Sequence, residues 1–375
     1  MKKLLPFLAL AVIALGLAGT AQAAESIKIG ALYNLTGGMS SIDAPSLNGA
    51  KLAAKLINQS GGVLGRPLEV IGVDTKTDQK ASAMGAQKVL SEKIVAGIGY
   101  SDPAFVLPSA PLFQRKGIPF VTSGATLPTL PKMIGNYMFM VPFGDDDQSY
   151  AIADYTFKTL KAKKIVVWTD NSMDFTKTLS RFFKERIVAL GGEIILEDFF
   201  MLGDKNFSAQ IARLKNAGAD AVFVSATPGE AGLTTKQIRE AGLTLPIVSG
   251  DGFDTELVTT VPGPALANDV YFSTHTYRGD TRPEVLAFIN AYKAEYGREP
   301  ENAFAACGYD AVGFIADALK RAGKADPKAL RDALASTKGY VGVTGTITYS
   351  RPSGVPVKGV AIISVQKGEY KVEEV

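Results

Sequence analysis

Three short loops combine hydroxyl side chains with glycine, and this combination could bind a small anion. They span residues 33–41, 99–103 and 122–126, and each follows an apolar run of strand length. Hydroxyl groups and backbone N–H groups near a helix N-terminus form a site for negative charge. One such loop is explained well enough by helix capping or a tight turn. Three of them at the carboxyl ends of neighbouring strands favour a ligand site, because open α/β sheets bind ligands at that edge.

His275 and Cys307 are the sole histidine and the sole cysteine, and they limit the chemistry available to the chain. They cannot form a zinc site with His/Cys spacing, and no EF-hand run or Gly-x-Ser-x-Gly elbow is present. No phosphate-binding loop or dinucleotide-binding turn follows any strand. Cys307 lies among small apolar residues and is expected to be a buried structural thiol. We therefore expect a binding protein without metal, cofactor or enzymatic activity, and a hydrolase that uses His275 is the rival hypothesis.

The loops must be held in place by strands that alternate with helices. Four apolar strand-length runs, separated by helical patterns, occupy the first third of the chain: 27–31, 68–73, 95–98 and 118–121. The same alternation restarts at 164–168 and continues to 246–248. Strands alternating with helices in this way predict βαβ units and mainly parallel sheets. The chain is therefore predicted to form two doubly wound α/β lobes.

The N-terminus has the three parts of a secretory signal peptide. A positive start at Met1 to Lys3 precedes an apolar run over 4–17, and Ala21-Gln22-Ala23 fits the small-x-small cleavage pattern. A run of about 14 apolar residues is shorter than the roughly 20 that span a membrane as a helix. We expect residues 1–23 to be removed. Since no cysteine is near the cleavage site, we expect an unlipidated protein in the periplasm.

The charge balance argues against nucleic acid and anionic membranes as partners. The chain has 40 Lys and Arg against 37 Asp and Glu, which gives a formal net charge of +3 at pH 7. A strongly basic face or stripe would be expected of a nucleic-acid-binding protein. A length of 375 residues suits two domains rather than one core. These features favour a monomer with a small-molecule partner.

Several short stretches, in their order and spacing, resemble the periplasmic binding proteins for branched-chain amino acids. This is the leucine/isoleucine/valine-binding type, which serves ABC transporters. The resemblance runs from about residue 26 to the end and rests on 27–30, 58–67, 117–126, 204–208, 214–220 and 309–311. It implies the type I periplasmic binding protein fold, in which two doubly wound α/β lobes are joined by a three-segment hinge. We expect an N-terminal lobe of 24–143 and 274–345, and a C-terminal lobe of 144–273 and 346–375.

The resemblance also implies a ligand site between the lobes. The carboxylate of an α-amino acid would meet the loops at 101–103 and 124–126, and its ammonium would meet the Thr126 region and Asp251. Asp251 ends a strand between two glycines and could also be a turn residue alone. The candidate ligand-binding residues are Tyr100, Ser101, Asp102, Ser123, Gly124, Ala125, Thr126, Asp174, Phe175, Thr227 and Asp251.

Three stretches depart from the family pattern: 102–105, 171–175 and 226–229. These departures replace one hydrogen-bond donor to the ligand carboxylate and the second-lobe side of the ligand site. The ligand can therefore differ from leucine. The sequence predicts the periplasmic substrate-binding component of an ABC importer, which captures an amino acid or similar small carboxylate by hinge closure and presents it to an inner-membrane permease. The alternatives are a non-amine solute, such as an aromatic or aliphatic carboxylate, an amide or a urea-like compound, and a sensory ligand-binding subunit.

Overall fold

The structure is a computed structural model that describes residues 25–277, 279–349 and 354–374. The first sheet is built from β1 (Ile27–Tyr33), β2 (Leu68–Asp74), β3 (Ala96–Gly99), β4 (Phe120–Thr122) and β5 (Met138–Met140). Its strands are all parallel, in the order β2-β1-β3-β4-β5. The helices between these strands are α1 (Ser40–Gln59), α2 (Gln79–Leu90), α3 (Pro103–Lys116) and α4 (Leu130–Ile134).

The second sheet has seven strands and begins after the first is complete. Its strands are β6 (Lys164–Asp170), β7 (Glu193–Phe200), β8 (Ala221–Ser225), β9 (Ile247–Ser249), β10 (Val270–Thr274), β13 (Ala361–Gln366) and β14 (Glu369–Glu374). They lie in the order β14-β13-β10-β9-β8-β6-β7, and β13 pairs antiparallel with both of its neighbours. The associated helices are α5 (Asp145–Lys158), α6 (Asp174–Ala189), α7 (Ser208–Ala217), α8 (Pro228–Glu240) and α9 (Leu257–Thr260).

The apolar strand runs end up covered on both faces. All five residues of β8 are buried, and β1 and β6 each have a single position that is not. Because helices cover both faces of a parallel sheet, the sequences of its strands are continuous apolar runs. Within the part of the chain that the structure describes, no helix has the length and apolar character needed to cross a membrane.

The elements between β10 and β13 in the chain pack against the first sheet instead of the second. They are α10 (Pro283–Tyr296), α11 (Ala303–Ala322), α12 (Pro327–Ala335) and the hairpin of β11 (Tyr340–Gly342) and β12 (Gly345–Ile347). Helix α11 and Ile347 join the same buried cluster as β1 and α1. We call the first sheet with these elements the first unit, and the second sheet with its helices the second unit.

The last crossing between the units lies later than the predicted boundary at 345/346, which was wrong. Ile347 is buried in the first-unit core, and the Tyr349 hydroxyl donates to the Met140 carbonyl at 3.0 Å. Lys358 Nζ donates to the Val141 carbonyl at 3.1 Å. The chain joins the second sheet only at Ala361, which pairs with Thr274. The hairpin holds this stretch to the first unit because its apolar side chains complete that core.

Helices α1 and α11 pack with their backbones in contact. A Cβ atom at Gly49 would lie 1.8 Å from the Ala305 carbonyl oxygen, and one at Gly308 would lie 1.8 Å from the Ser46 carbonyl oxygen. No side chain fits at either position unless the helices separate. The two glycines therefore set the distance between the helices.

Replacing Gly49 with alanine is expected to lower the free energy of unfolding by about 3 kcal/mol, at the upper end of overpacking costs, because backbone must move. The change is measured by urea denaturation. Gly229→Ala is the matched control, since Gly229 also lies in a helix and its Cβ would meet nothing within 4 Å. That control should be neutral or slightly stabilising, because alanine favours the helix. Equal effects of the two substitutions would contradict the close packing.

Candidate ligand-binding site

A small cavity lies between the two units, at the carboxyl ends of the strands. Its empty volume is about 210 Å³. The first unit contributes Met39, Ile42, Ser101, Asp102 and Phe304, and the second contributes Phe175, Thr227, Pro228, Asp251 and Gly252. Five of the sequence-predicted residues therefore line one cavity: Ser101, Asp102, Phe175, Thr227 and Asp251. They come together because parallel strands place their following loops along one sheet edge.

Three of the other predicted residues lie in the first-unit interior. Tyr100 has φ of 59° and is buried, and its hydroxyl shares a hydrogen bond of 3.1 Å with Ser109 Oγ. Ser123 Oγ accepts hydrogen bonds from Tyr33 and Ser46 at 3.1 Å each. Gly124 packs beneath the Phe304 ring, where a Cβ would come within 2.8 Å of that ring. These residues support the cavity wall from behind.

The anion site expected at 124–126 does not form as predicted. The Gly124 amide donates to the Tyr100 carbonyl at 3.1 Å, and the Ala125 amide donates to Thr122 Oγ1 at 3.0 Å. The next helix begins only at Leu130. The amides of Gly124 and Ala125 are therefore already used, and no helix N-terminus lies at Thr126.

Asp174 lies outside the cavity. Its side chain is 48% exposed and forms an ion pair with Lys177 one turn along α6, with an N–O distance of 2.8 Å. Phe175, the next residue, is buried and faces the cavity. The side chains of Asp174 and Phe175 point in different directions because they are neighbours in a helix.

Asp102 caps the N-terminus of α3 and is fully buried. Its Oδ1 accepts the Ala104 amide at 2.7 Å, whereas Oδ2 has no hydrogen-bond partner among the described residues. Burial raises the pKa of this carboxyl to about 8, and nearby carboxylates add to the shift. Asp102 is thus a buried acid with one oxygen free to meet a ligand.

Asp251 is held by a buried polar network at the junction of the units. Gln148 Nε2 donates to Asp251 Oδ1 at 3.0 Å, and Gln148 Oε1 accepts the Asp251 amide at 3.0 Å. The same oxygen accepts from Ser273 Oγ at 2.9 Å. His275 Nε2 lies 3.0 Å from Asp251 Oδ2, and its ring stacks on Phe143 at 4.2 Å. The network fixes the Asp251 carboxylate at the cavity wall.

Thr126 and Asp145 belong to the same network and not to the cavity. Gln148 Nε2 also lies 3.4 Å from Thr126 Oγ1 and 3.2 Å from Asp145 Oδ1. The pKa of Asp145 is raised well above its usual value, mainly by burial. Sequence reasoning missed Gln148 and His275 as site residues. Gln148 and Asp251 are 103 positions apart, so no local pattern connects them.

The apolar wall of the cavity comes from the first turns of two first-unit helices, which the sequence did not single out as site elements. Met39 and Ile42 lie at the start of α1, and Phe304 lies at the start of α11. Asn302 caps α11 by accepting the Phe304 amide at 3.1 Å. Its side-chain amide donates to the Ser41 carbonyl at 2.9 Å, which ties the two helix starts together.

A sequence profile described as periplasmic binding protein matches residues 26–369. The chain belongs to the periplasmic binding protein family. As expected of a member of this family, it has two α/β units with the candidate site between them. The family is one of solute-binding proteins rather than enzymes.

Named relatives place the chain in the branched-chain amino acid branch of the periplasmic binding proteins. It is 29% identical over 361 residues to a Leu/Ile/Val-binding protein homologue from Brucella suis, covering 96% of this chain and 94% of that protein. The substrate-binding protein LivJ from Streptococcus pneumoniae, solved with isoleucine, superposes with a TM-score of 0.88 at 30% identity, covering 94% of this chain and 100% of that one. A leucine-binding protein from Thermotoga maritima gives 0.86 at 31% identity, covering 92% and 97%. The predicted type I fold is confirmed.

Proposed function

We propose that this protein is the periplasmic substrate-binding component of an ABC importer and captures an amino acid or similar small molecule by hinge closure. The observation that carries the proposal is the cavity itself, which takes five lining residues from each unit. A ligand there can make its full set of contacts only when the units are closed. Its binding free energy therefore shifts the population towards the closed form. The branched-chain amino acid ligands of the relatives support the choice of ligand class.

Contacts across the cleft support closure as the mechanism. Asp254 of the second unit accepts the Ala303 amide of the first unit at 3.0 Å and the Thr274 hydroxyl at 2.6 Å, both at Oδ2. Thr255 Oγ1 donates to Ser41 Oγ at 3.1 Å. These bonds link the N-terminus of α11 and the start of α1 to the second unit. The three connections, from β5 to α5, from β10 to α10 and from β12 to β13, serve as the hinge.

The proposed cellular setting follows from the N-terminus and the family. Residues 1–23, which lie outside the described residues, act as a signal peptide, and the mature chain is released unlipidated into the periplasm. There it works as a monomer, and the closed form docks on an inner-membrane permease. The ligand leaves chemically unchanged, as expected of a solute-binding protein, and His275 Nε2 is engaged with the Asp251 carboxylate at 3.0 Å.

The test uses the protein secreted by a bacterial host. Its intact mass should correspond to a chain that begins at Ala24 with no added lipid. Thermal unfolding is then measured against a panel of amino acids, amines, carboxylates and amides. A ligand present at 100 times its dissociation constant should add about 2.7 kcal/mol of stability. Stabilisation by none of the panel, or turnover of a ligand that disappears in His275→Ala, would count against the proposal.

A further inference from the structure

Asp102 occupies the place where the family resemblance puts the donors for a ligand carboxylate. Its Oδ2 is buried, lines the cavity and has no hydrogen-bond partner among the described residues. A buried polar atom without a partner is costly, so one that is retained usually awaits a partner. An ionised carboxylate only accepts hydrogen bonds. The partner that fits this oxygen is therefore a donor group, and most favourably a cation.

The charges around Asp102 have the same sign. Asp43 on α1, Asp170 on β6 and Asp174 on α6 each raise the pKa of the Asp102 carboxyl, after the larger effect of burial. Asp145 is close enough for Asp102 to raise its pKa in turn. Lys177 contacts Asp174 on the surface.

The second-unit wall adds another acid and no free cation. Asp251 lines the cavity, and His275 behind it is in contact with that carboxylate. The ten lining residues, all in the described part of the chain, include no lysine, arginine or histidine. Once Asp102 is ionised, a ligand carboxylate placed beside it would meet negative charge without a counter-ion. A cation there would have one acid on each side.

We propose that Asp102 and Asp251 together bind one positively charged amino group of the ligand, so that the ligand is a small organic amine with no carboxylate at its Asp102 end. The inference rests on the proposed function, because it assumes that this cavity is the ligand site. The family resemblance implies that the first unit binds the carboxylate of the ligand. In this proposal the first unit binds the amino group instead. The cation joins the two units through their two acids, which makes it the group that drives closure.

The raised pKa of Asp102 gives this binding a defined pH dependence. Without ligand the carboxyl is largely protonated below about pH 8. A cation favours the ionised form, so its binding must release a proton below that pH. The affinity for an amine therefore rises as the pH increases from 6 to 8, by a factor approaching about tenfold per unit. A ligand carboxylate held by a protonated Asp102 would show the opposite trend, weakening above pH 8.

The experiment compares four probes of one carbon skeleton by titration calorimetry on the mature protein. They are L-leucine, L-leucinamide, which lacks a free carboxylate, 3-methylbutylamine, which lacks the carboxylate altogether, and 4-methylpentanoate, which lacks the amine. We expect leucinamide and 3-methylbutylamine to bind more tightly than leucine, and 4-methylpentanoate to bind most weakly. Their affinities are measured at pH 6, 7 and 8.

Two variants and one control complete the test. Asp102→Asn and Asp102→Ser both keep a side chain that can cap α3. Each should weaken the two carboxylate-free amines by about 30-fold or more. Asp102→Ser, which supplies a hydroxyl donor, should favour leucine over 3-methylbutylamine. Glu185→Gln removes an exposed acid of α6 that is paired with Arg181, and it should leave the affinities for all four probes within about twofold.

Several outcomes would overturn the inference while leaving the proposed function intact. These are tighter binding of leucine or 4-methylpentanoate than of the amines, affinity for amines that falls from pH 6 to 8, and an unchanged amine affinity in Asp102→Asn. Stabilisation of the wild type by carboxylates or neutral amides alone would do the same. Failure of the entire solute panel to stabilise the protein would reject both.

Discussion

Replacing Asp251 with asparagine is expected to weaken binding of amine-bearing ligands about 30-fold to several-thousand-fold. Removing one partner of a buried, hydrogen-bonded charge pair costs about 2–5 kcal/mol, part of which is the penalty on the charge left behind. Asparagine keeps the shape of the side chain and an oxygen that can still accept from Gln148 Nε2. The loss should therefore be specific to the charge.

The measurement is calorimetric titration of both proteins with 3-methylbutylamine and 4-methylpentanoate, which gives a double-mutant cycle. Glu185→Gln is the control, since Glu185 is a half-exposed acid of the second unit that is paired with Arg181. It should change neither affinity. An equal penalty from Asp251→Asn for ligands with and without the amine would make Asp251 a structural residue and favour a carboxylate or amide ligand.

The largest effect on stability is expected at Asp310. This fully buried residue of α11 accepts the Val343 amide at 2.8 Å through Oδ1. Its Oδ2 accepts the Thr344 amide at 2.8 Å and the Thr344 hydroxyl at 2.6 Å. The attraction of Asp310 also opposes the lowering of the Lys358 pKa by burial. One carboxylate thus fixes the loop between β11 and β12 and attracts the half-buried Lys358.

Asp310→Ala should lower the free energy of unfolding by about 3–5 kcal/mol, because it leaves three buried donors without an acceptor and removes the counter-charge of the half-buried Lys358. Asp317→Ala on the same helix is the control. It removes an exposed ion pair to Arg321, with an N–O distance of 2.8 Å, and such pairs contribute about 1 kcal/mol or less. Urea denaturation of both variants gives the comparison. A loss at Asp310 no larger than that at Asp317 would show that the loop is held by other contacts.

The fold could be predicted because its signals are local. Helix α10 begins at Pro283 and ends at Tyr296 because proline starts it and Gly297 ends it in the left-handed conformation. The apolar runs at 27–31 and 164–168 likewise lie within β1 and β6. The boundary at 345/346 was missed because the β11–β12 hairpin is short and its attachment depends on the first-unit core, which no short segment of sequence reveals.

The site was predictable where it depends on strand ends and unpredictable where it depends on contacts between distant segments. Ser101, Thr227 and Asp251 each follow a strand, and the family resemblance also indicated Ser101 and Asp251. Tyr100 also follows a strand, but its positive φ turns the side chain into the core. Phe304 reaches the cavity because α11 crosses back to α1, and His275 contacts Asp251 because a hinge connection passes that residue. These placements are decided by tertiary packing.

The close contact between α1 and α11 has a consequence for how ligand preference can change in this family. Ile42 is one helical turn from Ser46, and Phe304 is one turn from Gly308, so the cavity wall projects from the segment where the two backbones touch. That wall behaves as a fixed template, because neither helix can slide or rotate without steric overlap. Ligand size can then be altered by exchanging side chains at Met39, Ile42 or Phe304 without displacing the frame. The first unit thus presents an exchangeable set of side chains on two helices of fixed separation.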